Sequence, residues 1–322
     1  MEADPDHLLR GDTPRLVDEW QENLRSGMPY VTRWTGAGLT ASSSSWVRPP
    51  PGDEEMAGEA PQSGTVDVSL SDVAERLVVG GWPGHLDRDA EQARLANANY
   101  VRLLTSADMR RAAGPRRSPT TARRVLQSLA RHVSTECGVS RMAADATITR
   151  ETVAAYLGAY DRLMVRANLP AWNTHIRSRA RLRTSPKRHL CDTSLACTAL
   201  GLTPARLLAD LEYLGLLFES AAIHDLRVYA RAMGGELAHY RDSNGLEADV
   251  IIEFPDTSWA AGEVKLGFGA VPGAAATLLA VAANIDQDRM GPPRALVVVT
   301  GAGYAHKRPD GVCVVPLETL RE

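Results

Sequence analysis

The chain has 322 residues, 44% of them hydrophobic and 23% charged, with a net charge of −3, a globular profile long enough for two or three domains. That charge excludes a generally basic nucleic-acid coat and leaves room for a local basic patch. Four scattered cysteines without a C-x-x-C pair speak against a disulfide framework or a zinc site, and neither a signal peptide nor a membrane-length apolar run is visible, so a cytoplasmic protein is expected.

The first motif is Leu16-Val17-Asp18-Glu19. An apolar pair ending in Asp-Glu has the form of a Walker B element, in which Asp holds Mg²⁺ through water and Glu orients the attacking water. Such chemistry needs a phosphate-cradling G-x-x-x-x-G-K-[ST] loop, and the sequence has none. Residues 33–64 are rich in Gly, Ser, Pro and Glu and read as linker. From Val66 helical spacing returns. A Ser69-capped helix stops at Gly80-Gly81-Trp82-Pro83, residues 89–108 form a second helix, and residues 113–119 form a basic loop. Residues 121–137 read as an amphipathic helix. The segment 142–160 then reads as a helix-turn-helix of the winged kind, with residues 163–170 as wing strand. Thr149 and Arg150 would start its recognition helix and meet a DNA groove; an ordinary helical packing module is the plainer reading. Residues 172–187 are the most basic stretch. Arg177, Arg179, Arg181 and Lys187, spaced by two or more, would present one charged edge to phosphates, or simply to solvent.

Residues 207–229 read as a long helix carrying Glu219 and Asp225, followed by a strand at 236–240. A β-hairpin comes next, its first strand at 245–254 and its second at 259–266. Alternation along a strand points Glu263 and Lys265 the same way, with Asp249 on the partner strand. Two carboxylates and an amine on a sheet have the form of a divalent-metal site with a charge-stabilising lysine, or of a surface ion pair. An Ala-rich helix (274–285) and apolar strands at 295–300 and 312–315 complete a mixed α/β sheet with helices on both faces.

This element order, with Glu219 on the helix, Asp249 on the second strand and Glu263-x-Lys265 on the third, resembles the PD-(D/E)xK nuclease core. Together with Leu16–Gln21, Arg33–Gly38, Gly80–Pro83, Thr149–Leu157, Ser185–His189 and Asp192, it resembles bacterial AAA-type ATP-binding proteins. Those have a winged-helix middle and a PD-(D/E)xK-like C-terminal domain of unknown function. The resemblance implies an α/β fold in four parts: a remnant of a P-loop ATPase core with linker (1–64), a helical lid (65–118), a winged-helix-like domain (119–184) and the nuclease-like domain (185–322). It also implies Mg²⁺ on Asp249, Glu263 and the Val264 carbonyl, with Lys265 handling water and Glu219 in support. Without the P-loop, Asp18 and Glu19 have no ATP to serve. The expected function is therefore a DNA- or protein-binding module that does not hydrolyse ATP alone. The alternatives are an Mg²⁺-dependent nuclease and an ATPase completed by a partner's P-loop.

Overall fold

A computed structural model describes residues 65–320 apart from 87, 116 and 173–184. Strand β1 (Thr65–Val66) precedes helix α1 (Leu70–Val79), which opens on a capping box. The Ser69 hydroxyl accepts from the Asp72 amide, and the Asp72 carboxylate accepts from the Ser69 amide. Gly80 ends the helix at a φ of 81°, a conformation open to glycine at little cost. Helix α2 (Ala90–Leu103) runs into a wider turn over Leu104–Asp108 before α3 (Met109–Ala113). There the Thr105 and Ser106 hydroxyls donate back to the carbonyls of Val101 and Arg102, loosening the regular ladder.

Helix α4 (Pro119–Arg131) has Ser118 as cap and Pro119 in its first turn. It is shorter than the spacing of 121–137 predicts. After His132 the chain leaves the helix, with Ser134 at a φ of 58° and its amide donating to the Arg188 carbonyl. Helices α5 (Val139–Ala146) and α6 (Arg150–Arg162) follow, joined through the left-handed Thr147. Residues 166–169 then pair antiparallel with 187–190, Leu169 and Lys187 exchanging both backbone hydrogen bonds at 3.0 Å, while Ala171 pairs in parallel with His239. Helices α7 (Thr193–Leu200) and α8 (Pro204–Leu208) lead to α9 (Leu211–Ala232). The long helix expected from residue 207 begins instead at Leu211, after Asp210, whose carboxylate caps the Tyr213 amide.

The remaining strands are β2 (Glu236–Arg241), β3 (Glu247–Glu253) and β4 (Trp259–Lys265). After helices α10 (Val271–Asn284) and α11 (Gln287–Met290) come β5 (Leu296–Thr300), β6 (Gly303–Tyr304), β7 (His306–Lys307) and β8 (Cys313–Pro316). Six of them form a mixed sheet in the order β2-β3-β4-β5-β8-β7, while β1 pairs with β6. β2, β3 and β4 are antiparallel neighbours, and β5 lies parallel to both β4 and β8. One sheet face packs Val250, Val264 and Val299 into a core shared with α9 and the preceding helices. The other packs Ile251, Ala261 and Val298 against α10, with Trp172 and Trp259 at its margin.

One irregularity positions the site. Ala238 pairs with Ile251 and Tyr240 with Ala248, so Asp249 and Val250 together face His239. This β-bulge breaks the alternation of β3 and re-aims the Asp249 side chain.

Candidate functional site

Five residues singled out from the sequence, Lys187, Glu219, Asp249, Glu263 and Lys265, meet in one cluster. Continuing the β3–β4 register past Val250 and Gly262 sets Asp249 opposite Glu263, two like charges that repel unless cations intervene. Lys265 intervenes first. Its Nζ pairs with Asp249 Oδ2 at 3.2 Å and with Glu263 Oε2. Asp249 Oδ2 also accepts from the Val264 amide at 3.0 Å. Glu219 approaches from the buried face of α9.

The second cation is Lys187. Its Nζ donates to Asp249 Oδ1 at 2.8 Å and to Glu219 Oε1 at 2.9 Å. With a relative exposure of 6%, Lys187 is no part of a solvent-facing basic edge, which corrects the sequence expectation. The physical reason is local: its strand pairs with residues 166–169, and the ammonium points at carboxylates rather than water. Glu263, at 4% exposure, is likewise buried, so the ion pairs are not the surface pairs of a simple amphipathic hairpin.

The electrostatics follow from burial and pairing. Burial pushes the Asp249 carboxyl up, but Lys187 and Lys265 outweigh it and hold the group below its ordinary value. Glu219 and Glu263 are raised, by burial first and then by the Asp249 charge. Burial lowers both ammoniums, yet the carboxylates around them win and raise them. Three carboxyls against two ammoniums would leave one excess negative charge if all were ionised, and burial with the Asp249 charge pushes Glu219 and Glu263 toward their protonated forms. Glu263 Oε1 is buried without a hydrogen-bond partner.

A divalent cation needs free, deprotonated oxygens at close range. Here Lys187 already engages Asp249 Oδ1 and Glu219 Oε1, and Lys265 engages the other Asp249 oxygen. Both Asp249 oxygens and one oxygen of each glutamate are thus engaged by amines, with Glu263 Oε1 buried and left over, and these residues do not fit the ion as they stand. Among the described residues no group of three His, Cys, Asp or Glu side chains converges to hold a metal.

The other expected contacts lie elsewhere. Thr149 caps α6, its hydroxyl accepting from the Thr152 amide at 3.2 Å, and Arg150 beside it is exposed. Asp18, Glu19, Arg177, Arg179 and Arg181 lie outside the described residues. The main residue misjudged from the sequence is Lys187, and a signal for it existed. The chain has 33 arginines and three lysines, Lys187, Lys265 and Lys307, so each lysine marks a place where a compact ammonium is used instead of a guanidinium.

A second polar junction lies at Asp192. It caps α7 through the Ser194 amide at 2.8 Å, and its other oxygen accepts from the Gly81 amide at 2.8 Å. The Trp82 indole donates to Ser194 Oγ at 2.8 Å. A cavity of about 30 Å³, room for a water or two, opens there beside the buried Asp225.

Positive charge is segregated along the chain. Residues 70–206 hold 22 Arg and Lys against 11 Asp and Glu, while residues 214–322 hold nine against 14. Arg162 Nε donates to the Ala112 carbonyl at 3.0 Å, and the Arg117 guanidinium lies 5.2 Å from the Tyr156 ring centre. The Tyr156 hydroxyl in turn accepts from the Ser118 amide at 2.8 Å. These contacts hold Arg117 and Arg162 where α3, α4 and α6 meet, and Arg110 and Arg111 are exposed on α3, Arg111 pairing with Asp108 at 3.5 Å.

Residues 70–206 match the family model of a domain of unknown function (DUF8612). Residues 214–320 match that of another domain of unknown function (DUF4143), a domain found in AAA-ATPase-associated proteins. No curated protein and no solved structure matches the chain. No helix among the described residues is long and apolar enough to cross a membrane.

Proposed function

We propose that this chain is a DNA-binding module of the AAA-associated kind, with a PD-(D/E)xK-like sheet kept as a structural core. The observation that carries the reading is the concentration of 22 basic against 11 acidic residues within 70–206, in a chain whose net charge is −3. Charge collected on one segment attracts a polyanion even when the whole molecule repels it. The arrangement of α4, α5 and α6, followed by the paired segments 166–169 and 187–190, supports a winged-helix-like reading of that segment. The exposed positions of α6 include Arg150 and Arg162 but also Glu151, Ala154 and Asp161. Such a face suits phosphate contact better than reading of base edges.

The test is fluorescence anisotropy with a labelled DNA duplex over a range of salt. Affinity should fall steeply with salt, and Arg110→Glu with Arg111→Glu should weaken binding and flatten the slope. Absence of binding at low salt, or a folded double variant that binds like the parent, rejects it.

A second reading, an Mg²⁺-dependent nuclease, is favoured by one observation, the orphan Glu263 Oε1 beside Asp249. It requires Lys187 to release Asp249 and Glu219. Cleavage of DNA or RNA with Mg²⁺ or Mn²⁺ that disappears in Asp249→Ala and Lys265→Ala would establish it.

A further inference from the structure

Phe268, Tyr304 and His306 form a three-ring cluster at the end of the sheet where the parallel strands β4 and β5 finish. The ring centres of Phe268 and Tyr304 lie 5.9 Å apart at 29°, those of Phe268 and His306 5.8 Å at 39°, and those of Tyr304 and His306 4.7 Å at 34°. Yet Phe268 is 44% exposed and Tyr304 50%. Isolated exposed apolar side chains are ordinary, whereas two large rings held together at the surface mark a contact site.

The surroundings select the shape of what covers them. A side chain at Gly303, whose φ is 110°, would meet the Phe268 ring at 3.2 Å, so glycine lets the ring seat against β6. Gly267 and Gly269 flank Phe268, and nothing stands within 4 Å of where their side chains would be. The rings are therefore unfenced at the sides, which suits a flat partner better than a ridged peptide. Lys307 follows His306 on β7, exposed and without an ion pair among the described residues. Lys265 ends β4 at the same edge, in register with Thr300 at the end of β5. In open α/β sheets that edge, beyond the carboxyl ends of parallel strands, is where ligands settle.

We infer that Phe268, Tyr304 and His306 are a stacking platform for the bases of single-stranded nucleic acid, with Lys307 supplying charge for its backbone. Every base has a π-face, so such a platform accepts a strand without reading its sequence. The site is separate from the basic helical segment and stands whether or not that segment binds duplex.

The experiment is anisotropy with a short labelled oligothymidylate and, in parallel, the duplex. Phe268→Ala with Tyr304→Ala should weaken oligothymidylate binding at least tenfold while duplex binding and the melting temperature hold. Tyr304→Phe, which keeps the ring, should bind like the parent. A folded double alanine variant that binds oligothymidylate like the parent overturns the inference. So does a parent that does not bind it, or sedimentation showing that the rings hold two copies of the chain together. Loss of duplex binding in the Arg110 and Arg111 variants, with oligothymidylate binding intact, would separate the two sites.

Discussion

Lys187 Nζ lies 2.8 Å from Asp249 Oδ1 although 62 residues separate them in sequence. The contact joins the strand that follows the helices to the bulged strand of the sheet. It places an amine where the carboxylates most need a cation.

Removal of that amine leaves two buried carboxyls short of a partner. Lys187→Met should destabilise the fold by about 3–5 kcal/mol, measured by chemical denaturation. Lys187→Arg should not restore it, because a planar fork does not fill the place of a compact ammonium. In Lys187→Ala, Mn²⁺ should raise the melting temperature through the freed oxygens while leaving the parent unaffected.

Asp225 gives a pH dependence of definite sign. Burial, then the neighbouring Asp192 charge, raises its carboxyl from 3.8 to about 8. A folded pKa above the unfolded value means folding favours the protonated form. Stability from this group is full below the unfolded value and is lost as pH rises toward the folded one. The loss, on the order of a few kcal/mol, falls between about pH 4 and pH 8. Denaturation of Asp225→Asn should show a shallower decline over that window than the parent.

Thr149 separates a cap from a contact. Thr149→Ala should cost about 1 kcal/mol of stability through the lost bond to the Thr152 amide. Duplex affinity per folded molecule should not change, which anisotropy at a temperature well below melting would show.

Gly80 tests the Asp192 junction. A side chain there would stand 2.2 Å from Asp192 Oδ1, on a backbone with a φ of 81°. Gly80→Ala should lose 2 kcal/mol or more, roughly the sum of overpacking and left-handed strain, and calorimetry would register it as a lower melting temperature.

Much of this was legible in the sequence because periodicity and caps carry it. The helix with Glu219, the β3–β4 hairpin and the apolar β5 follow from spacing alone. The bulge at Asp249 does not, since an extra residue leaves no trace in an alternating pattern. Nor does the direction of Lys187, because a basic run reads the same whether its members face water or a carboxylate. The end of α4 at Arg131 was missed for a related reason. Val133 and Cys137 are apolar at helical spacing and both are buried, but the chain has left the helix there, and Val133 pairs with Arg188 instead.

The two family matches stop and resume between residues 206 and 214, yet the ammonium at residue 187 belongs to the first and the acids it neutralises to the second. A boundary in heredity is thus not a boundary in folding. If the C-terminal segment were transplanted onto another N-terminal half, the new host would have to deliver a positive charge to the same point. A host without one would inherit three carboxyls and a single lysine.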